Sequence, residues 1–161
     1  MADLLWDDVS GFFDLDLMGA LPDVRVPGCS VEDWQAVLDL VEDRGWKCQY
    51  SEGDTVLPVP RAQAMSARPV DGECPTLRVW PTDDVLAIFR FLEDEVIDFD
   101  VDLRELQGQE RLDVLCGLFR EIGRRLGKPV LMDPQGDYGR PVLGFDIVVD
   151  RVVLLADRLV T

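Results

Sequence analysis

The chain contains no histidine. That absence removes the commonest general base, the commonest zinc ligand and every His-dependent catalytic triad. Lysine is scarce as well: among the sixteen basic residues only Lys47 and Lys128 are not arginine. The serines are Ser10, Ser30, Ser51 and Ser66. None sits in a Gly-x-Ser-x-Gly elbow and neither lysine adjoins one, so nucleophilic catalysis has little to work with. The cysteines, Cys29, Cys48, Cys74 and Cys116, show no CxxC spacing, which argues against a zinc knot or a disulfide scaffold. No apolar run approaches the roughly 18 residues of a membrane span. The acidic start, Met1–Asp8, lacks the positive region of a signal peptide, and the expected compartment is the reducing cytoplasm.

What the chain has in excess is negative charge. Its 161 residues carry 32 Asp and Glu against 16 Lys and Arg, a formal net charge of −16. Nucleic acids and anionic membranes call for a basic face, so the surplus of acid argues against both and favours a basic protein as the expected partner. With 47% hydrophobic residues it can bury a core, and its length fits one domain, 1–161.

Two amphipathic helices stand out. Val31, Trp34, Val37, Leu38 and Val41 recur at helical spacing over about 31–44, with Ser30 as N-cap, Asp33 at the third position and Gly45 as the stop. Leu112, Leu115, Cys116, Phe119, Ile122 and Leu126 do the same over about 109–126, closed by Gly127 and Pro129. Cys116 on that stripe reads as a buried, inert thiol, and Glu121 and Arg125 as an exposed pair one turn apart. A hairpin is expected over 46–59, a short helix after Pro60, and a loop over Arg68–Pro75. A meander follows through 76–80, 85–91 and 97–103, then a strand at 130–132 and a closing pair at 142–149 and 151–156. The stretch 21–28, bounded by Pro22 and Pro27, reads as an extended connector after a short N-terminal helix. Tight turns between successive strands imply antiparallel pairing. The fold class expected is α+β, an antiparallel or mixed sheet with two main amphipathic helices packed on one face.

Gly123–Lys128 superficially resembles a phosphate loop. It has one residue too few between its glycines, Pro129 where Ser or Thr is needed, and it ends a helix instead of starting one. The segment Ile97–Leu103 is more informative. Asp98, Asp100 and Asp102 match the first three ligand positions of an EF-hand, but Leu103 stands where glycine is required and Gln109 where a bidentate Glu is required. Alternating Phe99 and Val101 mark a strand, on which the carboxylates line one face about 7 Å apart. Three readings follow: a wet strand face, an acidic ladder that meets a basic partner, or a metal site. Trp46 and Trp80, at strand ends, are the matching candidate interface anchors. An alternative class is a small enzyme using carboxylates alone or with a divalent metal, its candidate ligands being Asp98, Asp100, Asp102, Asp133 and Asp137. Another is a DNA-mimic inhibitor of a DNA-binding protein. No catalytic residue, metal ligand or cofactor is assigned.

The run Arg120–Leu131, the Asp133-Pro134-Gln135-Gly136 loop and the strand pair within 141–155 resemble small bacterial immunity-type proteins. The start, Trp6-Asp7-Asp8-Val9 with Phe12-Phe13-Asp14, is similar to uncharacterised acidic proteins of high-GC bacteria. The resemblance implies a stoichiometric, non-enzymatic inhibitor of a toxin domain and carries no site residues with it.

Overall fold

A computed structural model describes residues 2–69 and 72–156; Met1, and Val70 and Asp71 of the expected 68–75 loop, lie outside the described residues. Nine strands form one sheet: β1 Asp23–Val26, β2 Lys47–Glu52, β3 Thr55–Leu57, β4 Pro75–Thr82, β5 Val85–Arg90, β6 Ile97–Val101, β7 Val130–Asp133, β8 Leu143–Asp146 and β9 Arg151–Leu154. Their order is β3-β2-β4-β5-β6-β1-β7-β8-β9. Every pairing is antiparallel. The helices are α1 Trp6–Val9, α2 Leu15–Met18, α3 Val31–Arg44, α4 Ala62–Ser66 and α5 Gln109–Leu126. The architecture is α+β, and of the two sheet types expected it is the antiparallel one.

Strand alternation decides which face is covered. Val79, Ala87, Phe89, Ile97, Phe99, Val101, Val130 and Met132 are buried, whereas the residues between them stay partly exposed. Helices α3 and α5 pack on each other, and α5 contacts β4, β7, β8 and β9. Phe99 lies at the centre, stacked on Phe89 at 4.5 Å and edge-on to Phe119 of α5 at 6.2 Å. The opposite face is the more open one: Arg78, Trp80, Ile88, Asp98 and Asp100 are partly exposed there, with Asp133 the buried exception.

Helix α3 begins with a full capping box. The backbone N–H of Asp33 donates to Ser30 Oγ (3.4 Å) and that of Ser30 to Asp33 Oδ2 (3.1 Å). Lys128, just past α5, donates to the same Asp33 oxygen at 2.7 Å. Glu121 and Arg125 do not pair with each other. Glu121 takes Arg44, and Arg125 donates to Asp43 at 3.0 Å, so both reach across to α3 and tie the two helices together. The closing hairpin turns through Ile147–Asp150. Asp150 has φ 56°, a left-handed conformation that Asp tolerates, and Arg124 Nε grips its carboxylate at 2.7 Å.

The stretch expected as a connector is instead a central strand. Val24 and Val26 are fully buried, and β1 lies between β6 and β7. Pro22 and Pro27 sit just outside the hydrogen-bonded residues, where a missing N–H costs the ladder nothing. The strand is delivered there by long-range contacts. Gln135 N–H donates to the Met18 carbonyl at 2.8 Å, Leu21 N–H to Gln135 Oε1 at 3.0 Å, and Leu103 N–H to the Ala20 carbonyl at 2.8 Å.

Candidate functional site

The insertion of β1 assembles an acidic cluster on the open face. Across the ladders Asp23 stands opposite Asp100 on one side and opposite Asp133 on the other. Three carboxylates thus lie in a row across neighbouring strands, spaced by about the 4.8 Å between strands. In the next row Arg25 stands between Asp98 and Leu131. One carboxylate oxygen each from Asp23, Asp98 and Asp100 lies within 4.8 Å of the other two.

Counter-charge is incomplete. Arg90 pairs with Asp100, and Arg25 Nε donates to Asp133 Oδ2 at 2.8 Å. The Arg25 guanidinium also lies 5.1 Å from the centre of the Tyr138 ring, an arrangement that combines ion pairing with cation–π attraction. Asp133 is fully buried, yet among the described residues its Oδ1 has no hydrogen-bond partner, and neither has the buried Oδ1 of Asp98. Such groups carry the desolvation cost of burial without compensation. The strain shows in ionisation. Burial, a hydrogen bond shared with Asp100 and the charges of Asp100, Asp98 and Asp133 push Asp23 up to about 6. Burial, followed by the charge of Asp100, raises Asp98 as well, against the pull of Arg90.

The structure therefore brings together Asp98, Asp100 and Asp133 and adds two residues that sequence reasoning missed, Asp23 and Arg25. The strict polar–apolar alternation of Asp23-Val24-Arg25-Val26 was the available sign, masked by the flanking prolines. Asp102 is not part of the cluster. The strand ends at Val101, and Asp102 caps a 3-10 turn, accepting from the Arg104 N–H at 2.9 Å and pairing with its guanidinium, which holds its carboxyl below the usual range. Asp137 lies in the exposed loop beyond, 3.8 Å from Arg140.

The two tryptophans fall on opposite sides of the sheet. Trp80 alternates with buried Val79 and lies on the open face, with Lys47 Nζ 5.0 Å above its ring. Trp46 lies on the helix side. It lines a cleft of about 480 Å³ with Leu38, Val41, Val59, Arg61 and Leu77, and a shallower one against Val114 and Leu118 of α5. The open face thus carries Trp80, Asp98 and Asp100 together and excludes Trp46.

No family model, curated protein or solved structure matches this chain. Among the described residues no helix is long and apolar enough to cross a membrane.

Proposed function

We propose that the chain is a non-enzymatic binding protein that docks a basic protein partner on the open face of its sheet, as an immunity-type inhibitor docks a toxin domain. The observation that carries this reading is the crowding of partly exposed Asp23, Asp98 and Asp100 on that face, backed by buried Asp133, with only Arg25 and Arg90 against them among the described residues. Like charges directly opposite on neighbouring strands are destabilising. A sheet that keeps them gains from a cationic surface brought from outside. The charge of −16 speeds encounter with a basic target and disfavours acidic ones, while Trp80 offers a half-buried aromatic anchor on the same face.

Three of the four serines and both lysines already serve structural roles. Ser30 caps α3, Ser51 Oγ accepts from Arg78 at 3.2 Å, and Ser66 Oγ donates to Asp94 at 2.8 Å. Lys47 covers Trp80 and Lys128 holds Asp33.

Co-expression with a toxin-like gene encoded beside this one tests the proposal. Rescue of growth, a one-to-one complex, and association that slows with added salt are expected. Replacing both Asp98 and Asp100 by Asn slows association and flattens its salt dependence. Trp80→Ala weakens the complex, whereas Trp46→Ala, on the far side, leaves it intact. A neighbouring toxin that kills despite the protein removes the immunity reading. A complex weakened by Trp46→Ala and untouched by Trp80→Ala moves the interface to the helix side.

A further inference from the structure

The acidic cluster has a feature that a protein partner does not require, because it lies inside the fold. Asp133 is wholly buried, and among the described residues its Oδ1 is left without a hydrogen-bond partner although Oδ2 is held by Arg25. Asp133 stands directly beside Asp23 in the row of three, and its charge reaches both Asp23 and Asp98. A second buried oxygen, Asp98 Oδ1, is equally unpartnered. Two orphaned carboxylate oxygens in one cluster mark a place where a positive charge is missing.

We propose that Asp23, Asp98 and Asp100 bind a hard divalent cation, calcium by preference, with buried Asp133 as the adjoining fourth charge. Four carboxylates against two guanidinium groups, Arg25 and Arg90, leave two formal negative charges, which one divalent ion balances. The three ligand oxygens lie within 4.8 Å of one another, so a point central to them is at most about 2.8 Å from each, and a slight closing of the carboxylates brings all three to the calcium–oxygen range of about 2.3–2.6 Å. Carboxylate-only donors select a hard ion over zinc or copper. Calcium accepts irregular shells of six to eight oxygens, and the partly exposed side of the cluster admits the water that completes one. Glu93 and Tyr138 also face the cluster, one adding negative charge and the other lying over Arg25. The ligands come from two strands, β1 and β6, with Asp133 on β7, so the ion pins the non-sequential strand β1 to both neighbours.

This inference rests on the orphaned oxygens and not on the binding-protein reading, and its test needs no partner. Chelator-treated protein at pH 7 in about 0.1 M KCl is titrated with calcium chloride in a calorimeter, and its thermal unfolding is followed with and without the ion. One saturable site of sub-millimolar affinity is expected, with a rise of a few degrees in the unfolding midpoint. Asp23→Asn and, separately, Asp98→Asn weaken binding at least tenfold, while Asp137→Asn, at an exposed acid outside the cluster, leaves it unchanged. Diffuse, non-saturating heats from the unmodified protein, with no shift in its unfolding midpoint, overturn the proposal whatever the variants do. Saturable binding that survives both cluster variants overturns it too, by placing the ion elsewhere.

Discussion

Phe145 of β8 lays its ring on the backbone of Gly123 in α5. A Cβ added at Gly123 would lie 2.1 Å from Phe145 Cδ2 and under 3 Å from two further ring carbons. The absent side chain is what lets α5 approach the sheet, since interiors are packed too densely for a methyl group to be inserted freely. Gly123→Ala should therefore destabilise the protein by about 1–3 kcal/mol, although alanine is the better helix former by about 1 kcal/mol. Gly117, in the same helix, has nothing closer than 3.8 Å to such a Cβ. Gly117→Ala should stabilise by up to about 1 kcal/mol. Urea denaturation of the pair gives opposite signs if the close approach is real and the same sign if it is not.

Phe99 is the centre of the aromatic cluster, 1% exposed between Phe89 and Phe119. Its truncation to alanine should cost about 3–5 kcal/mol, through lost burial and an uncollapsed cavity. Isosteric change at its strand neighbour, Asp98→Asn, should leave stability equal or slightly higher, because the orphaned, half-buried charge disappears. A large loss from Asp98→Asn with little loss from Phe99→Ala would invert the assignment of faces.

Asp23 gives the stability a pH dependence of unusual sign. Its carboxyl, pushed up to about 6 mainly by burial, holds a proton in the folded chain over a range where the unfolded chain, near the ordinary value of 3.8, has lost it. Between about pH 4 and 6 the native state binds more protons, so this residue's contribution is intact below pH 4 and is lost as pH rises through 6. Asn at position 23 cannot ionise. In chelator, the stability of Asp23→Asn relative to the unmodified protein should grow from pH 4 to pH 7 by about 1 kcal/mol, a value discounted for the solvent exposure of the site. A pH-independent difference between the two proteins would contradict this origin of the shift.

The cysteines should separate by reactivity. Cys48 is exposed, whereas Cys116 is 1% exposed on α5 and burial pushes its thiol up to about 12. Thiolate is the reacting form. A disulfide reagent at pH 8 should label Cys48 in the native protein within minutes and Cys116 only on unfolding. Mass mapping of the labelled peptides checks it, and early label on Cys116 would show that α5 opens from the core.

Local pattern determined much of this protein. The 3.6-residue stripes of Val31–Val41 and Leu112–Leu126 and their caps fixed α3 and α5, because helix signals lie within a few turns of chain. Strict alternation over Ile97–Val101 fixed which side chains of β6 face the core. The absence of histidine and the surplus of acids set the chemistry available before any folding. Tertiary structure decided the rest. Asp23–Val26 is too short and too hemmed by proline to declare itself a central strand, and its place between β6 and β7 depends on partners about 75 and 110 residues away. For the same reason the carboxylates of the candidate site could not be chosen from spacing alone. Asp98, Asp100 and Asp102 are evenly spaced in sequence, but the strand's end gives Asp102 to Arg104, and the pairing of β1 brings in Asp23 and Asp133 instead. Which charges meet depends on strand order and register, and these are set by long-range contacts that no local stretch of sequence contains.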